Sequence, residues 1–592
     1  MVLSLPKDIA TSAFLDVETS LTGRRWVGPS GDEQRLAEAM EQATGLPLPL
    51  CKVLVTRGIS PDEAPGYLAP KLRDLLPDPM SLRDMGAAAD RILKALKARE
   101  KIAVFADYDV DGGSSAALLL DWLRQQNHDA TLYVPDRIDE GYGPNPTAMA
   151  ELAAGHDLII CVDCGTLSFE AIAAAKGADV LIIDHHLAGE TLPDAMAVVN
   201  PNRQDESGDL AHLCAAAVVF LVLVEANRRL AKDGTKGPDL LRMLDLVALA
   251  TVADVAPLTG LNRALVVQGL KVMSARARPG LAALADVAGL STAPTSYHLG
   301  YVLGPRVNAG GRVGKADLGA RCLSSTDPDE ALAMAERLDQ LNTERRDIEN
   351  AVRDAALVQA EERGMEGALV WAAGEGWHPG VVGIVAARLK EATGRPAVVI
   401  GLDGAQGKGS ARSVKGVDLG HAIQRLASEG LLIKGGGHKM AAGLTVDRDQ
   451  LEPAMVRLEE LLAKEGAGQG GPKDKRIDAA LMPGAATVEL IEQIETAGPF
   501  GQSAPAPRFA FPDVVIMHTK RVGTGHLKVS FGDGLGARLD AILFDAFDGP
   551  IGPALTAHGG ARFHLVGRLE VSQWGGRKRV ELRLEDAANA SA

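Results

Sequence analysis

Three short apolar runs in the N-terminal third of the chain each end in acidic or imidazole side chains. The runs are residues 102–106, 158–162 and 180–183, and they are followed by Asp107-Tyr108-Asp109-Val110-Asp111, by Asp163, and by Asp184-His185-His186. Apolar runs that alternate with Ala/Leu-rich stretches at helical spacing are typical of βαβ units. Parallel strands place their carboxyl ends along one edge of the sheet, so the pattern predicts an α/β fold with these side chains collected at that edge.

The collected side chains are suitable ligands for hard divalent cations. Carboxylate oxygens suit Mg²⁺ and Mn²⁺, and Mn²⁺ also accepts imidazole, so the cluster predicts these ions rather than Zn²⁺. Without a cation, several like charges would crowd one sheet edge. A helical stretch over residues 240–251 leads to a further acid, Asp254. Two ions that share ligands neutralise a phosphate during in-line attack, so we expect hydrolysis of a phosphodiester bond.

Length and composition limit the class of protein. With 592 residues, several domains are expected. A net charge of −15 argues against nonspecific wrapping of nucleic acid by the whole surface, although a local cationic groove is compatible with it. The longest apolar run, residues 214–224, is too short to cross a membrane and the N-terminus shows no signal pattern, so a cytoplasmic protein is expected. Five cysteines form no disulfide framework, and Cys161-Val162-Asp163-Cys164 lacks the context of a redox motif.

Changes in pattern along the chain predict five segments. Residues 1–95 form a mostly helical N-terminal segment, and residues 96–325 form the catalytic domain with the parallel sheet. A helix over residues 326–364 starts at the cap Asp327-Pro328 and is long enough to connect two domains. Residues 365–465 form a second α/β domain. After a Gly-rich linker, residues 466–592 contain short alternating segments that predict a five-stranded β-barrel of the oligonucleotide-binding (OB) type.

Two segments of the second α/β domain are predicted to be phosphate-binding loops. Residues 435–443, Gly-Gly-Gly-His-Lys-Met-Ala-Ala-Gly, offer backbone N–H groups beside His438. Residues 408–413 add Ser410 and Arg412, which suit an anion. On the barrel, a set of cations and one tryptophan predict contacts to a nucleic-acid backbone and a base. This set is Lys520, Lys528, Arg538, Arg568, Trp574, Arg577, Lys578 and Arg579.

In these residues the chain resembles the DHH phosphoesterase superfamily, and within it the single-strand-specific DNA exonucleases. Four motifs carry the resemblance: residues 107–112, Val162-Asp163-Cys164-Gly165, Asp184-His185-His186, and residues 250–255. Further similarity lies in residues 304–312, in residues 378–386 and in the Gly-Gly-Gly-His segment of a DHH-associated domain. Cys164 stands where asparagine is frequent in the superfamily, and this departure leaves the metal ligands untouched.

The resemblance implies roles for individual residues. Two metal ions would be held by six ligands, with Asp163 as the bridge: Asp107, Asp109, Asp111, Asp163, His185 and Asp254. His186 would contact the scissile phosphate, and with Asp163 and Asp109 it makes up the catalytic set. The implied contacts to DNA and to its 5′ phosphate are Arg137, Arg306, Asn308, Arg312, Ser410, Arg412, Gly436, Gly437 and His438.

The resemblance also implies an activity, namely 5′-to-3′ digestion of single-stranded DNA to 5′-mononucleotides in DNA repair and recombination. The protein would act as a monomer, with a single-strand-binding protein and a helicase as candidate partners. Two alternatives stay open. A DHH phosphodiesterase for short oligonucleotides, cyclic dinucleotides or pyrophosphate would use the same metal cluster without needing the basic barrel. A catalytically inactive scaffold would be expected to lack metal ligands, and here each expected ligand is present.

Overall fold

The computed structural model of the protein describes residues 13–136, 140–468, 474–574 and 577–590. The chain forms two compact units. The first consists of Met1–Leu76, Pro257–Ala264 and Gly471–Ala592, and the second of Pro77–Ala256 and Leu265–Gly470. The five segment boundaries derived from sequence divide the chain in another way and stay predictions.

The N-terminal part of the first unit is mostly helical. A 3₁₀ turn at Phe14–Asp16 and strand β1 (Trp26–Val27) precede helices α1 (Gly31–Thr44), α2 (Leu48–Val55), α3 (Ala64–Leu68) and α4 (Leu72–Leu75). Helix α1 starts at a capping box between Ser30 and Glu33. Buried Met40 of this helix shares one hydrophobic core with Phe511 and Phe531. The two ends of the chain therefore fold together.

The second unit contains the predicted parallel sheet. Its strands are β2 (Ile102–Ala106), β3 (Ala130–Tyr133), β4 (Leu158–Val162), β5 (Asp179–Ile183) and β6 (Ala197–Val199), in the order β3-β2-β4-β5-β6, with every neighbouring pair parallel. The accompanying helices are α5 (Met85–Ala98), α6 (Val110–Gln125), α7 (Pro146–Gly155), α8 (Phe169–Ala174) and α9 (Ala215–Lys232). Every residue of β2 and β4 is buried, as expected for central strands of a sheet covered on both faces. The α/β prediction is confirmed.

A helical region follows the sheet. It contains α10 (Leu244–Ala253), α11 (Gly260–Ser274), α12 (Pro279–Val287), a π-helix (His298–Leu303), α13 (Gly304–Val313), α14 (Leu318–Ser324) and α15 (Pro328–Arg363). Helix α15 is the predicted connector, and the side chain of Asp327 caps it by accepting hydrogen bonds from the amides of Asp329 and Glu330. With 36 residues it is about 54 Å long at 1.5 Å per residue. Short 3₁₀ helices lie at Pro79–Ser81, Leu240–Met243, Arg448–Gln450 and Pro483–Ala485.

The second α/β domain also belongs to the second unit. It contains β7 (Val370–Glu375), α16 (Pro379–Thr393), β8 (Ala397–Asp403), β9 (Gln406–Arg412), α17 (Leu419–Ser428), β10 (Lys434–His438), β11 (Ala441–Asp447) and α18 (Leu451–Lys464). The strand order is β10-β11-β9-β8-β7, and only β7 and β8 are parallel. The two segments predicted as phosphate-binding loops are therefore largely strands β9, β10 and β11. Pairing with sheet neighbours overrides the turn preference of their glycines.

The C-terminal part of the first unit is the predicted barrel. Strands β12 (Lys475–Arg476) and β13 (Ala479–Ala480) and helix α19 (Val488–Glu495) precede β14 (Phe509–Val522), β15 (His526–Gly532), β16 (Arg538–Leu543), helix α20 (Ile551–Thr556), β17 (Arg562–Trp574) and β18 (Arg577–Asn589). The order β14-β15-β16-β18-β17 closes on itself because β17 also pairs with β14. The five-stranded OB barrel is confirmed. β1 and β12 pair in parallel and form a separate two-stranded sheet.

The predicted cations of the barrel fall into two groups. Lys528, Arg568 and Lys578 are neutralised by ion pairs with acids of the same unit. Lys520, Arg538, Arg577 and Arg579 are exposed and make no ion pair with any described residue. The side chain of Trp574 lies outside the described part of the chain. Over the described ranges, we find no helix that is both long and apolar enough to span a membrane.

Candidate active site

The segment between β2 and α6 carries three acids. Asp109 caps α6, since its Oδ1 accepts hydrogen bonds from the amides of Asp111 (2.8 Å) and Gly112 (3.1 Å). A Cβ at Gly112 would lie 2.4 Å from the carbonyl oxygen of Asp107, so only glycine allows this close approach. Asp107 and Asp111 are buried, and Asp109 is half-buried. The tight turn thus directs three carboxylates to one place.

Asp163 follows β4 in a strained backbone conformation. Its φ of 61° lies in the left-handed region, which is unfavourable for a residue other than glycine. Its amide donates to the carbonyl of Ile183, which fixes it beside the end of β5. The side chain is buried, and its Oδ1 accepts no hydrogen bond from any described residue. A buried carboxylate oxygen without a donor is costly, and a bound cation would satisfy it.

Asp184 orients His186. Its carboxylate accepts hydrogen bonds from the amides of Thr166 and His186 and, at 2.8 Å, from Nδ1 of His186. Although burial opposes it, this hydrogen bond and the charge of Asp184 raise the pKa of His186 to about 9. Nε2 of His186 lies 3.0 Å from the hydroxyl of Tyr142. The ring is therefore held with Nδ1 facing Asp184 and Nε2 facing Tyr142.

His185 presents its other ring nitrogen to the acids. Nδ1 donates to the carbonyl oxygen of Leu213 at 3.1 Å, which leaves the lone pair of Nε2 available to a metal ion. Nε2 lies 3.3 Å from Oδ1 of Asp163 and 3.7 Å from Oδ2 of Asp111. Asp254 ends helix α10, and its Oδ2 lies 3.9 Å from Nδ1 of the same ring. His185 is thus surrounded by carboxylates from three different elements.

Asp111 has a second role that the sequence did not reveal. Its two carboxylate oxygens accept hydrogen bonds from the amides of Ala215 (2.7 Å) and Ala216 (2.8 Å). These amides belong to the first turn of α9, whose N-terminus carries partial positive charge. Asp111 therefore holds α9 against the site while it faces His185.

Seven side chains form three overlapping groups, in each of which the donor atoms lie within 4.8 Å of one another. The groups are Asp107, Asp109 and Asp163; Asp163, His185 and His186; and Asp111, His185 and Asp254. The structure thus brings together all six predicted ligands and His186. Asp163 and His185 each belong to two groups, as ligands shared by two ions would. The assignment of ligands to ions stays a prediction.

The electrostatics of the cluster favour a cation. Burial raises the pKa of Asp163 well above its usual range, and the charges of Asp111 and Asp109 raise it further. Burial and the same two acids raise the pKa of Asp254 to about 8. In the described ranges, the ion pairs found for Asp111, Asp163 and Asp254 are with histidines. Carboxylate oxygen with imidazole nitrogen is a donor set that fits Mn²⁺ or Mg²⁺.

A groove of about 530 Å³ lies on the sheet of the second α/β domain. Its lining includes three cations, a hydroxyl and a row of glycines: Arg312, Lys408, Lys434, Ser410, Gly436 and Gly443. Lys434, Thr445 and Lys408 are cross-strand neighbours, as are Gly436, Gly443 and Ser410. One face of three adjacent strands therefore combines positive charge with a hydroxyl and two neighbouring glycines that carry no side chain, which suits a phosphate backbone.

These two glycines are not required by packing. A Cβ at Gly436 or Gly443 would have no heavy atom within 4 Å, and neither residue has a left-handed φ. Glycine in a strand costs stability because it loses more backbone freedom on folding and packs no side chain. Packing therefore gives no reason for glycine at either position, and the fold there would accept alanine.

Ser410 and Arg412 lie side by side against α16. A Cβ at Gly383 of this helix would lie 3.0 Å from Nη2 of Arg412 and 3.2 Å from Oγ of Ser410. His438 shares a cross-strand row with Arg412 through Ala441, and it is exposed. Three predicted phosphate contacts thus occupy one face of the sheet.

Other predicted contacts lie elsewhere. The Nε of Arg306 donates to Oδ1 of Asp339 at 2.8 Å, and this ion pair joins α13 to α15. Asn308 accepts a hydrogen bond from the amide of Val110 at 3.0 Å, so it fixes the start of α6. Both residues therefore contact other parts of the protein that are distant in sequence, and these contacts hold helices in place. Arg137 lies outside the described residues.

Gly437 has a structural reason to be glycine. Its φ is 155°, and a Cβ there would lie 2.4 Å from the carbonyl oxygen of Ala441. Its lack of a side chain serves the β10–β11 hairpin.

Sequence reasoning missed Tyr142 and Lys434. Tyr142 occurs in Glu140-Gly141-Tyr142-Gly143, and nothing in these neighbours indicates a partner for its hydroxyl. Lys434 directly precedes the Gly-Gly-Gly-His segment. Had this segment been predicted as a strand, the two-residue period would have placed Lys434 and Gly436 on one face.

Comparison with protein families shows three matching domains. Residues 101–251 match the DHH family, N-terminal domain; residues 366–464 match the DHHA1 domain; and residues 477–586 match the RecJ OB domain. Among curated proteins, the single-stranded-DNA-specific exonuclease RecJ of Bacillus subtilis (strain 168) is 33% identical, over 95% of this chain and 71% of that protein. RecJ of Dickeya dadantii (strain 3937) is 35% identical, over 92% of this chain and 96% of that protein.

Solved structures give the same result. RecJ from Thermus thermophilus in complex with Mn²⁺ superposes with a TM-score of 0.78 at 27% identity, over 96% of this chain and 80% of that chain. The complex of the same protein with Mg²⁺ gives a TM-score of 0.72 at 26% identity, over 96% of this chain and 79% of that one.

The parallel sheet with its carboxylate and imidazole cluster, followed by a DHHA1 domain, defines a DHH-family phosphoesterase. Within that class, the OB domain and the similarity over nearly the whole chain distinguish one family. The chain belongs to the RecJ family of single-stranded-DNA-specific exonucleases.

Proposed function

We propose that this protein hydrolyses the phosphodiester bonds of single-stranded DNA from the 5′ end, with two Mn²⁺ or Mg²⁺ ions as cofactors, and releases 5′-mononucleotides. The observation that carries the proposal is the set of three overlapping donor groups that share Asp163 and His185. The six predicted ligands would hold the ions. When bound, such ions neutralise the phosphate charge and lower the pKa of a coordinated water.

The protein's own residues supply orientation. The hydrogen bond from Nδ1 of His186 to Asp184 and the contact of Nε2 with the hydroxyl of Tyr142 fix the ring, so that Nε2 can donate to a phosphate oxygen. His185 is held in the same way by its hydrogen bond to the carbonyl of Leu213. Because both rings are fixed before substrate binds, little reorganisation is needed during the reaction.

Helix α13 connects the cluster to the groove. Asn308 contacts the amide of Val110, next to Asp109, while Arg312 lines the groove and donates to the carbonyl of Gly380. Four residues along a helix correspond to about 6 Å. A strand whose scissile phosphate lies at the cluster would therefore reach the cationic groove within one or two nucleotides, and we propose that Arg312, Ser410 and Arg412 receive its 5′-terminal phosphate.

Further properties belong to the same proposal. We also propose that the protein works in DNA repair and recombination, in the cytoplasm and as a monomer. All five cysteines are free thiols, which suits a reducing compartment. A single-strand-binding protein and a helicase are proposed partners, since they would supply or expose single strands. The five predicted segment boundaries are proposed as the domain limits.

The proposal is tested by digestion of end-labelled oligonucleotides. Single- and double-stranded substrates, with and without a 5′ phosphate, are incubated with Mn²⁺, Mg²⁺ or a chelator. We expect 5′-mononucleotides from the phosphorylated single strand only when metal is present, and no turnover by Asp163→Asn. Asp129→Asn, an exposed acid of the same domain, is the matched control with normal turnover. Digestion in chelator would overturn the metal mechanism, and preferred cleavage of cyclic dinucleotides would favour the small-substrate alternative.

A further inference from the structure

Two tyrosines of the second unit form an exposed stacked pair. The rings of Tyr297 and Tyr301 have centroids 5.2 Å apart and an interplanar angle of 27°. Tyr297 is 53% exposed and Tyr301 is 69% exposed. The whole chain contains only six tyrosines. Placing two of them together in solvent leaves a flat aromatic face available to a further planar ring.

The pair stands beside the metal-binding end of α10. Tyr301 belongs to the π-helix His298–Leu303, and Tyr297 directly precedes it. A Cβ at Gly300 would lie 3.4 Å from Cγ1 of Val252, and one at Gly304 would lie 3.3 Å from Cβ of Ala253. These two residues of α10 immediately precede Asp254. The glycines thus bring the π-helix close to the helix end that delivers a predicted ligand.

The local backbone shows two features that are common at functional sites. A π-helix is rare and energetically poorer than an α-helix, and it occurs often where function requires it. Val255, which follows Asp254, is 63% exposed and has a φ of 59°, a strained conformation for a β-branched residue. Exposed apolar side chains and irregular backbone therefore occur both at the tyrosine pair and directly after Asp254.

We propose that Tyr297 and Tyr301 form a stacking platform for a nucleobase of the bound strand, and this inference rests on the function proposed above. Stacking on an aromatic ring tolerates any base, because every base has a π-face. The side chains of the cluster and of the groove suit metal ions and phosphates, and neither set includes an aromatic ring on which a base could stack. Unpaired bases can reach such a platform, whereas bases within a duplex are already stacked on each other.

A nucleobase fits this surface better than a protein partner does. The same chain segment continues into α13, which contacts the start of α6 through Asn308 and lines the groove through Arg312. The tyrosines therefore belong to the segment of the chain that carries proposed contacts to the substrate. The exposed face is also the size of one ring pair, which matches a single base.

The test combines protein variants with abasic DNA. Y297A/Y301A removes both rings, and Y297F/Y301F keeps the rings without the hydroxyls. The substrate is a 5′-phosphorylated single strand that carries one abasic residue at successive positions. For the wild type we expect an abasic residue at one position to raise KM by roughly tenfold, the effect of losing one stacked base. Y297A/Y301A should show the higher KM on normal DNA and no further loss on the abasic strand, whereas Y297F/Y301F should behave as the wild type.

Hydrolysis of bis(p-nitrophenyl) phosphate with Mn²⁺ reports on the metal centre without any base. Retained turnover of this compound by Y297A/Y301A shows an intact centre, and if that variant fails to fold, Tyr301→Ala takes its place in the same comparison. Equal abasic sensitivity of the wild type and the alanine variant, or an unchanged KM on normal DNA, would overturn the platform. If the wild type hydrolyses the small compound but not single-stranded DNA, then the proposed function itself fails.

Discussion

A methyl group at Gly443 should have opposite effects on stability and on activity. Gly443 lies between Gly436 and Ser410 on the floor of the groove. A Cβ there has no heavy atom within 4 Å, and the backbone is not left-handed, so Gly443→Ala meets no steric obstacle. Relief of the glycine entropy cost should stabilise the fold by about 0.5–1 kcal/mol.

The same methyl group would occupy the space that we assign to the DNA backbone. Displacement of a closely packed strand should cost about 1–2 kcal/mol of binding, which corresponds to a five- to thirtyfold rise in KM for single-stranded DNA. Turnover of bis(p-nitrophenyl) phosphate should stay unchanged, because the metal cluster is not altered. The variant would thus be more stable than the wild type and yet a poorer nuclease.

Gly407→Ala is the matched control in the neighbouring strand. Its Cβ would lie 2.7 Å from Cγ2 of Ile400 and 3.0 Å from Cδ2 of Leu402, in the hydrophobic interior. Overpacking of this kind should destabilise the fold by about 1–3 kcal/mol and leave KM unchanged. Thermal and urea unfolding give the stabilities, and steady-state digestion gives KM. An unchanged KM for Gly443→Ala would refute the proposal that the glycines of the groove contact DNA. A lower melting temperature for the same variant would refute the inference that the fold accepts alanine at this position.

Three further predictions concern the metal cluster and the barrel. Mn²⁺ at a concentration of 100 Kd should stabilise the wild type by about 2.7 kcal/mol and so raise its melting temperature. Asp163→Asn should abolish this effect while anisotropy in chelator still shows DNA binding; an undiminished Mn²⁺ effect would contradict a shared ligand. Tyr142→Phe loses the contact with Nε2 of His186, and a fall in kcat of about two- to tenfold without a change in KM is expected; an unchanged kcat would exclude a positioning role for the hydroxyl. Lys520→Glu should lower the slope of log K for DNA binding against log salt concentration by about 0.7. Lys528→Glu should change this slope less, because the amine of Lys528 is already paired with two acids. Equal slopes for both variants would argue against the barrel as a DNA-binding surface.

Local sequence pattern was sufficient for the elements and for the acidic edge. The runs at residues 102–106 and 158–162 are strands β2 and β4 with the same limits, because a strand buried on both faces is a continuous apolar run. Their carboxyl ends then lie along one edge, so the meeting of Asp107 with Asp163 followed from the strand assignment alone. The cap at Asp327 likewise predicted the connector helix, and the alternation of apolar and polar residues predicted the strands of the barrel. The RecJ family and the fold class are confirmed, and the individual roles of site residues stay predictions.

Contacts between distant parts of the chain were decided only by the tertiary structure. Nothing local in Trp26–Val27 indicates that it pairs with Lys475–Arg476, and nothing in Arg306 indicates Asp339 as its partner. The residues 435–438 have the composition of a turn, yet pairing with β11 makes them a strand. The sequence by itself determined which residues form strands and helices and that acids follow the strands, because these properties depend on neighbours a few positions away. Which side chains meet across the fold depends on packing between remote segments, and only the folded chain settles it.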